Sequence, residues 1–254
     1  MQQYSDSKQK IDEIYKDTDF KELINAGVFL GRKKTKTYPR MRPFILVSRN
    51  DFEVINLNKT LEKMNEAVEF LKKQVKEGKQ LLFVGTQIAS ESLLMDINKE
   101  LNLPVVTNRW IGGLLTNFDV VLKRINFFKK LREDIQSGAL EKYTKKERLK
   151  INKQFEKLEK LFGGLENLSD LPGVLIIIDP NLHINAIREA KKLNIPVIAF
   201  INTDGNPELV DIFVPGNTRS KLSINWFLNN IKKAYLEARN TKSNESSQNE
   251  IENN

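Results

Sequence analysis

The chain has 254 residues, with 41 Lys and Arg against 33 Asp and Glu, one histidine and no cysteine. A net charge of +8 with 40% apolar residues describes a basic chain that can bury a core, which excludes wholesale disorder. The cysteine count removes disulfide scaffolds, thiol nucleophiles, iron–sulfur clusters and Cys-based zinc sites, and His183 alone cannot build a multi-histidine metal site.

The chain opens without a basic start followed by an apolar stretch, so it does not read as a secretory signal, and residues 1–19 are expected to be a mobile N-terminal segment. Between Glu22 and Asp51 no acid interrupts Arg32, Lys33, Lys34, Lys36, Arg40, Arg42 and Arg49. Phe29, Tyr38 and Phe44 are interleaved, and Pro39 and Pro43 predict an extended segment. Such a strip can follow a phosphate backbone while rings stack on exposed bases, or it can be a solvated basic loop.

Leu57, Leu61, Met64, Val68, Leu71 and Val75 predict a helix, with Asn58 as its N-cap and Gly78 as its stop. Leu81 to Val84 is a short apolar run of the kind that forms a strand buried on both faces. A helix from Ile88 to Leu101 and a strand at Pro104 to Val106 follow. Next comes Asn108-Arg109-Trp110-Ile111-Gly112-Gly113-Leu114-Leu115-Thr116-Asn117, where the glycines allow close backbone approach and Trp110 anchors or stacks. Trp110, Gly112 and Gly113 are read as structural anchors, with Trp110 packed into the core at the root of the next element.

Phe118, Val121, Ile125, Phe128 and Ile135 mark one amphipathic helix, and Ile151, Phe155, Leu158 and Phe162 a second. Gly138 lies between them, and Thr144 with Glu147 forms a capping-box signature. The narrow stripes predict an antiparallel coiled-coil hairpin over 117–161. Its surface carries thirteen cations, Lys123, Arg124, Lys145 and Lys146 among them, which suit either nucleic acid or plain solubility. Strands at Val174 to Ile178, Val197 to Ile201 and Ile212 to Val214 alternate with helices at Ile184 to Leu193 and Leu222 to Ala238. The alternation predicts an α/β fold with a parallel sheet, its body formed by 20–116 and 162–239. Residues 240–254, rich in Asn, Ser and Glu, are expected to be a disordered tail. No apolar run approaches the ~20 residues of a membrane span.

An enzyme reading rests on the strand ends, where Thr86, Asp179 and Asp204 could border a phosphosugar or nucleotide pocket. Neither G-x-G-x-x-G nor a P-loop is present, and Asp179 and Asp204 are also ordinary capping residues. His183, near a helix start, reads as a surface histidine rather than a general base.

Taken in order, Tyr38-Pro39-Arg40-Met41-Arg42-Pro43-Phe44-Ile45, Leu82-Phe83-Val84-Gly85-Thr86, the Asn108 to Asn117 stretch, Ile178-Asp179-Pro180 and Val214-Pro215-Gly216-Asn217 closely resemble the bacterial-type small-subunit ribosomal protein S2 family (universal family uS2). The resemblance runs from about Phe20 to Arg239. It implies a flavodoxin-like or Rossmann-like parallel sheet flanked by helices, with the coiled-coil hairpin inserted. It implies no catalysis, cofactor or metal, but binding to small-subunit ribosomal RNA late in assembly, between head and body. Expected partners are neighbouring small-subunit proteins and the messenger-binding protein S1, with no membrane and no homo-oligomer in the assembled particle. The expected location is the ribosome, cytoplasmic or organellar. Arg32, Lys33, Lys34, Lys36, Arg40, Arg42, Arg49 and Arg109, then Lys123, Arg124, Lys145 and Lys146, are the RNA-contact candidates. The chain departs from the family pattern at Phe29 and Arg32, which replace histidines, and at Gln87, His183 and Asn206.

Overall fold

The computed structural model describes residues 18–142 and 144–252, with side chains over 20–140 and 144–241. The segment expected to be mobile, 1–19, lies outside the described residues except for its last two. In chain order the elements are α1 (Thr18–Ala26), β1 (Leu30–Lys33), β2 (Ile45–Arg49), β3 (Phe52–Ile55), α2 (Leu57–Lys76), β4 (Leu81–Val84), α3 (Ile88–Leu101), β5 (Val105–Val106), α4 (Phe118–Gln136), α5 (Lys145–Phe162), β6 (Val174–Ile178), α6 (Ile184–Lys192), β7 (Val197–Ile201), β8 (Ile212–Pro215) and α7 (Lys221–Glu252). A parallel sheet runs in the order β5-β4-β6-β7-β8, and β1-β3-β2 form a small antiparallel sheet. Every residue of β4, β6 and β7 is buried, as their unbroken apolar runs require. Among the described residues, no helix is long and apolar enough to cross a membrane.

One compact unit takes the residues up to 79, 177–182 and those from 197 on. Here α2 packs on β8 and α7, and the Thr60 hydroxyl donates to the Pro215 carbonyl at 3.0 Å. The cap of α2 is Asn56, whose side chain accepts from the Asn58 N–H at 3.1 Å, and not Asn58 as expected. The far end closes as expected. Gly78 sits at φ 82, its N–H donating to Val75 and the Lys79 N–H to Gln74, the crossed pair that satisfies the last carbonyls. Phe200 stacks on Phe227 at 4.8 Å, and a Cβ on Gly216 would meet the Phe200 ring at 2.3 Å, so only glycine lets the end of β8 approach it.

The basic segment in this unit is folded, not extended. β2 and β3 form a hairpin through Asn50 and Asp51, both at positive φ (46 and 65), the two-residue turn whose twist matches the flanking strands. Residues Pro39–Phe44 form a 3-10 turn, because proline's fixed φ suits the first position of a helical turn as well as an extended chain. α7 also runs past the end expected at Ala238 and takes in most of the residues read as a tail. No glycine or proline follows Gly216 to stop it.

The other unit takes residues 80–176 and 183–196. α4 buries Val121, Ile125 and Phe128 and folds back on α5, with Phe128 stacked on Phe155 at 5.5 Å between ring centroids. Arg132 lies 4.8 Å from the Phe128 centroid and pairs with Glu159 and Glu166. On α5 only Phe162 is fully buried, while Ile151, Phe155 and Leu158 stay partly exposed. The capping box at the start of α5 forms as its residues predict: the Thr144 N–H donates to Glu147 at 2.9 Å, and the Glu147 N–H donates to the Thr144 hydroxyl. Thr144→Ala is expected to lower the free energy of urea unfolding by about 1 kcal/mol, the usual value of such a cap.

Candidate nucleic-acid interface

In the first unit, the seven cations of the basic segment have different fates. Lys33, Lys34, Lys36 and Arg42 are exposed and make no ion pair among the described residues. Arg32 is used by the fold itself: its Nε donates to Asp204 at 3.0 Å and its backbone N–H to the Thr203 hydroxyl at 2.8 Å. Arg40 pairs with Glu208 at 3.1 Å in full view of solvent, where such a pair contributes little. Arg49 is half-buried on β2.

The expected interleaving of rings is mostly structural. Phe29 is fully buried, and Phe44 packs edge-on against Phe213 at 5.0 Å. Phe52, which the charge pattern did not single out, is the exposed ring at 44%. It stands opposite Lys33 on one neighbouring strand and Arg49 on the other, which sets an aromatic face among cations, the arrangement that stacks an unpaired base.

At the strand ends of this unit, Asp179 adopts a left-handed backbone (φ 62) and is 5% exposed. It accepts from the Asn181 N–H at 3.3 Å and the Thr218 hydroxyl at 3.4 Å. Burial and then the nearby Asp204 push its carboxyl above the ordinary value, against the pull of the Asn181 N–H, Arg219 and Thr218. Asp204 is held by Arg32. Both carboxylates are therefore occupied in joining loops. Thr86, in the other unit, is half-buried at the end of β4. Among the described residues no three metal-ligating acids or histidines cluster.

His183, in the second unit, corrects the sequence reading. It is 2% exposed, not a surface residue; it is the N-cap of α6, and its carbonyl accepts the Ile187 N–H at 3.1 Å. Burial pushes its imidazole down to about 4, so the ring is neutral near pH 7.

Also in the second unit, the Asn108 to Asn117 stretch is organised by a residue that sequence reasoning missed. The Glu189 carboxylate, on α6, accepts from Trp110 Nε1 at 2.9 Å and from the N–H groups of Gly113 at 2.9 Å, Leu115 at 3.0 Å and Thr116 at 3.3 Å. The Thr116 hydroxyl donates to it at 3.4 Å. Partial burial raises its pKa, but these donors outweigh that and hold it below the ordinary carboxylate value. Trp110 is half-buried and tied by this hydrogen bond, not sunk in the core as expected. Gly113, at φ 83, is a structural glycine. Gly112 is not, since a Cβ there would meet nothing within 4 Å. Arg109 is exposed and makes no ion pair among the described residues.

Lys123 and Arg124 lie exposed on α4, where no acid occurs between Asp119 and Glu133. Lys145 and Lys146 lie exposed in the first turn of α5, where the helix dipole disfavours cations and an external phosphate would relieve them.

A family model described as ribosomal protein S2 matches residues 23–238 of the chain. The chain is similar to the small ribosomal subunit protein uS2 of Dictyoglomus thermophilum, at 40% identity over 225 residues, covering 89% of this chain and 92% of the relative. It is likewise similar to the uS2 proteins of Oenococcus oeni, at 37% over 219 residues (86% and 84%), and of Francisella tularensis subsp. novicida, at 38% over 221 residues (86% and 91%).

Proposed function

That the chain belongs to the ribosomal protein S2 family is the premise from which we propose its role. It is a structural component of the small ribosomal subunit and supports translation by binding ribosomal RNA, not by catalysis. The observation that carries this reading is the family match over residues 23–238. The exposed Lys33, Lys34, Lys36 and Arg42, which make no ion pair among the described residues, supply RNA backbone contacts in one unit, and the Phe52 ring opposite Lys33 supplies a base contact. Arg109, Lys123, Arg124, Lys145 and Lys146 supply backbone contacts in the other. Arg32 acts within the fold, because Asp204 holds it, whereas Arg40 keeps only a weak surface pair with Glu208.

In this reading the chain sits on the ribosome as one copy among neighbouring small-subunit proteins, with S1 as a further partner. Residues 117–161 are an insertion in a discontinuous α/β domain of 20–116 and 162–239. The strand-end carboxylates Asp179 and Asp204 join loops in place of serving a substrate.

A tagged copy expressed in its own cells is expected to sediment with the small subunit on a sucrose gradient at moderate salt and to leave that fraction after ribonuclease treatment. Migration only as free protein would end the ribosomal reading and return attention to the strand ends.

A further inference from the structure

Building on the RNA-binding reading above, we propose that the Asn108 to Thr116 loop is a preformed seat for an RNA sugar–phosphate backbone, positioned by Glu189, with Gly112 the point of closest approach and Arg109 the cation beside it.

Glu189 fixes the loop at Trp110, Gly113, Leu115 and Thr116, so the backbone between Trp110 and Gly113 is pinned on both sides. All five donors are neutral. The carboxylate is thus satisfied without a cation, and Arg109, one residue before Trp110, keeps its full charge in solvent.

The glycines sharpen the point. At Gly31, Gly164, Gly205 and Gly216 a Cβ would meet this chain's own atoms at under 3 Å, so the fold itself demands glycine. Gly113 needs its positive φ. Gly112 has neither requirement: it is exposed, its φ is outside the left-handed region, and a Cβ would enter open space. A bare stretch of backbone, held by Glu189 and three residues from the exposed Arg109, fits close approach by an anionic backbone. Rigid presentation matters because a pre-ordered loop loses less entropy on binding than a free one.

The test mixes full-length protein with small subunits stripped of it and reads the bound fraction by sedimentation across a salt series, with thermal unfolding followed in parallel. Gly112→Gln places a neutral side chain in open space. The expected result is an unchanged unfolding temperature with binding weakened about tenfold or more. Arg109→Ala and Glu189→Ala are each expected to weaken binding about tenfold, and the double variant about tenfold also, not the hundredfold of independent effects, because Glu189 acts through the placement of Arg109. Should Glu189→Ala fail to fold, Gly112→Gln still decides.

Full binding by Gly112→Gln overturns the proposal, as does a hundredfold loss in the double variant. Loss of binding by Gly112→Gln with the salt slope of the Arg109→Ala variant unaltered from wild type points to a protein partner and overturns it as well. Failure of the wild-type chain to bind stripped subunits overturns the RNA reading itself, which separates the two.

Discussion

Replacing Lys33, Lys34, Lys36 and Arg42 together with alanine is expected to weaken association with the small subunit by roughly 10³-fold at about 0.1 M salt. The slope of log K against log salt should become shallower by about three. Each phosphate neutralised releases condensed counterion, worth roughly 0.7–0.9 in that slope, so four contacts give about three. Over the tenfold range between about 0.1 and 1 M salt, a slope of three is a factor of 10³. The fold has little at stake, since all four side chains are exposed and make no ion pair among the described residues. Arg32→Ala should behave oppositely, because it leaves Asp204 without its guanidinium. Its main effect is a lower unfolding temperature, with the salt slope nearly unchanged. Sedimentation at four or five salt concentrations measures both. If the four-site variant keeps the wild-type slope, the exposed cations of this segment do not touch phosphate.

The contrast between these cations marks the limit of what the sequence discloses. Where a signal is local, it was legible. The apolar runs at 174–178 and 197–201 became β6 and β7 with the bounds expected, because burial on both faces is written in consecutive residues, and the helix expected at 88–101 became α3. The basic segment misled because prolines and charge drew the eye to an extended strip. The informative residues were Asn50 and Asp51, a pair that tolerates positive φ, between runs that alternate well enough for a hairpin. Pairings across long separations had no local trace. Asp204 lies 172 residues from Arg32, and Glu189 lies more than 70 from every donor it accepts. Glu189 reads in the sequence as one more charge on a short surface helix. Its role exists only once α6 is folded beside the loop.

Acid should expose the weak point of that same helix. Between pH about 6.5 and 4 the unfolding free energy is expected to fall by roughly 3 kcal/mol on account of His183 alone. The folded-state pKa is depressed to about 4 from an ordinary 6.5, so the unfolded chain takes up a proton first. The stabilisation is fully present above pH 6.5 and is lost as pH drops through the window toward 4. Two features keep the ring neutral in the fold. It is almost wholly buried with its Nε2 lacking a hydrogen-bond partner among the described residues, and it sits at the start of α6, where the helix dipole also opposes a cation. Glu189 acts in the same direction only at lower pH, since its depressed carboxyl loses its stabilisation below the ordinary range near 4.5. Asp179 acts in the opposite sense, its raised pKa favouring the fold when it is protonated. His183→Gln should therefore flatten the stability curve from pH 6.5 to 4.5 while leaving the steep fall below it. Urea titrations at half-unit pH intervals compare the two, and parallel curves would remove His183 as the cause. Because His183 caps α6 and Glu189 lies on it, protonating the first loosens the helix that pins the Trp110 to Thr116 loop. In a Trp226→Phe background, Trp110 fluorescence should then shift before the global transition with His183 present and together with it in His183→Gln.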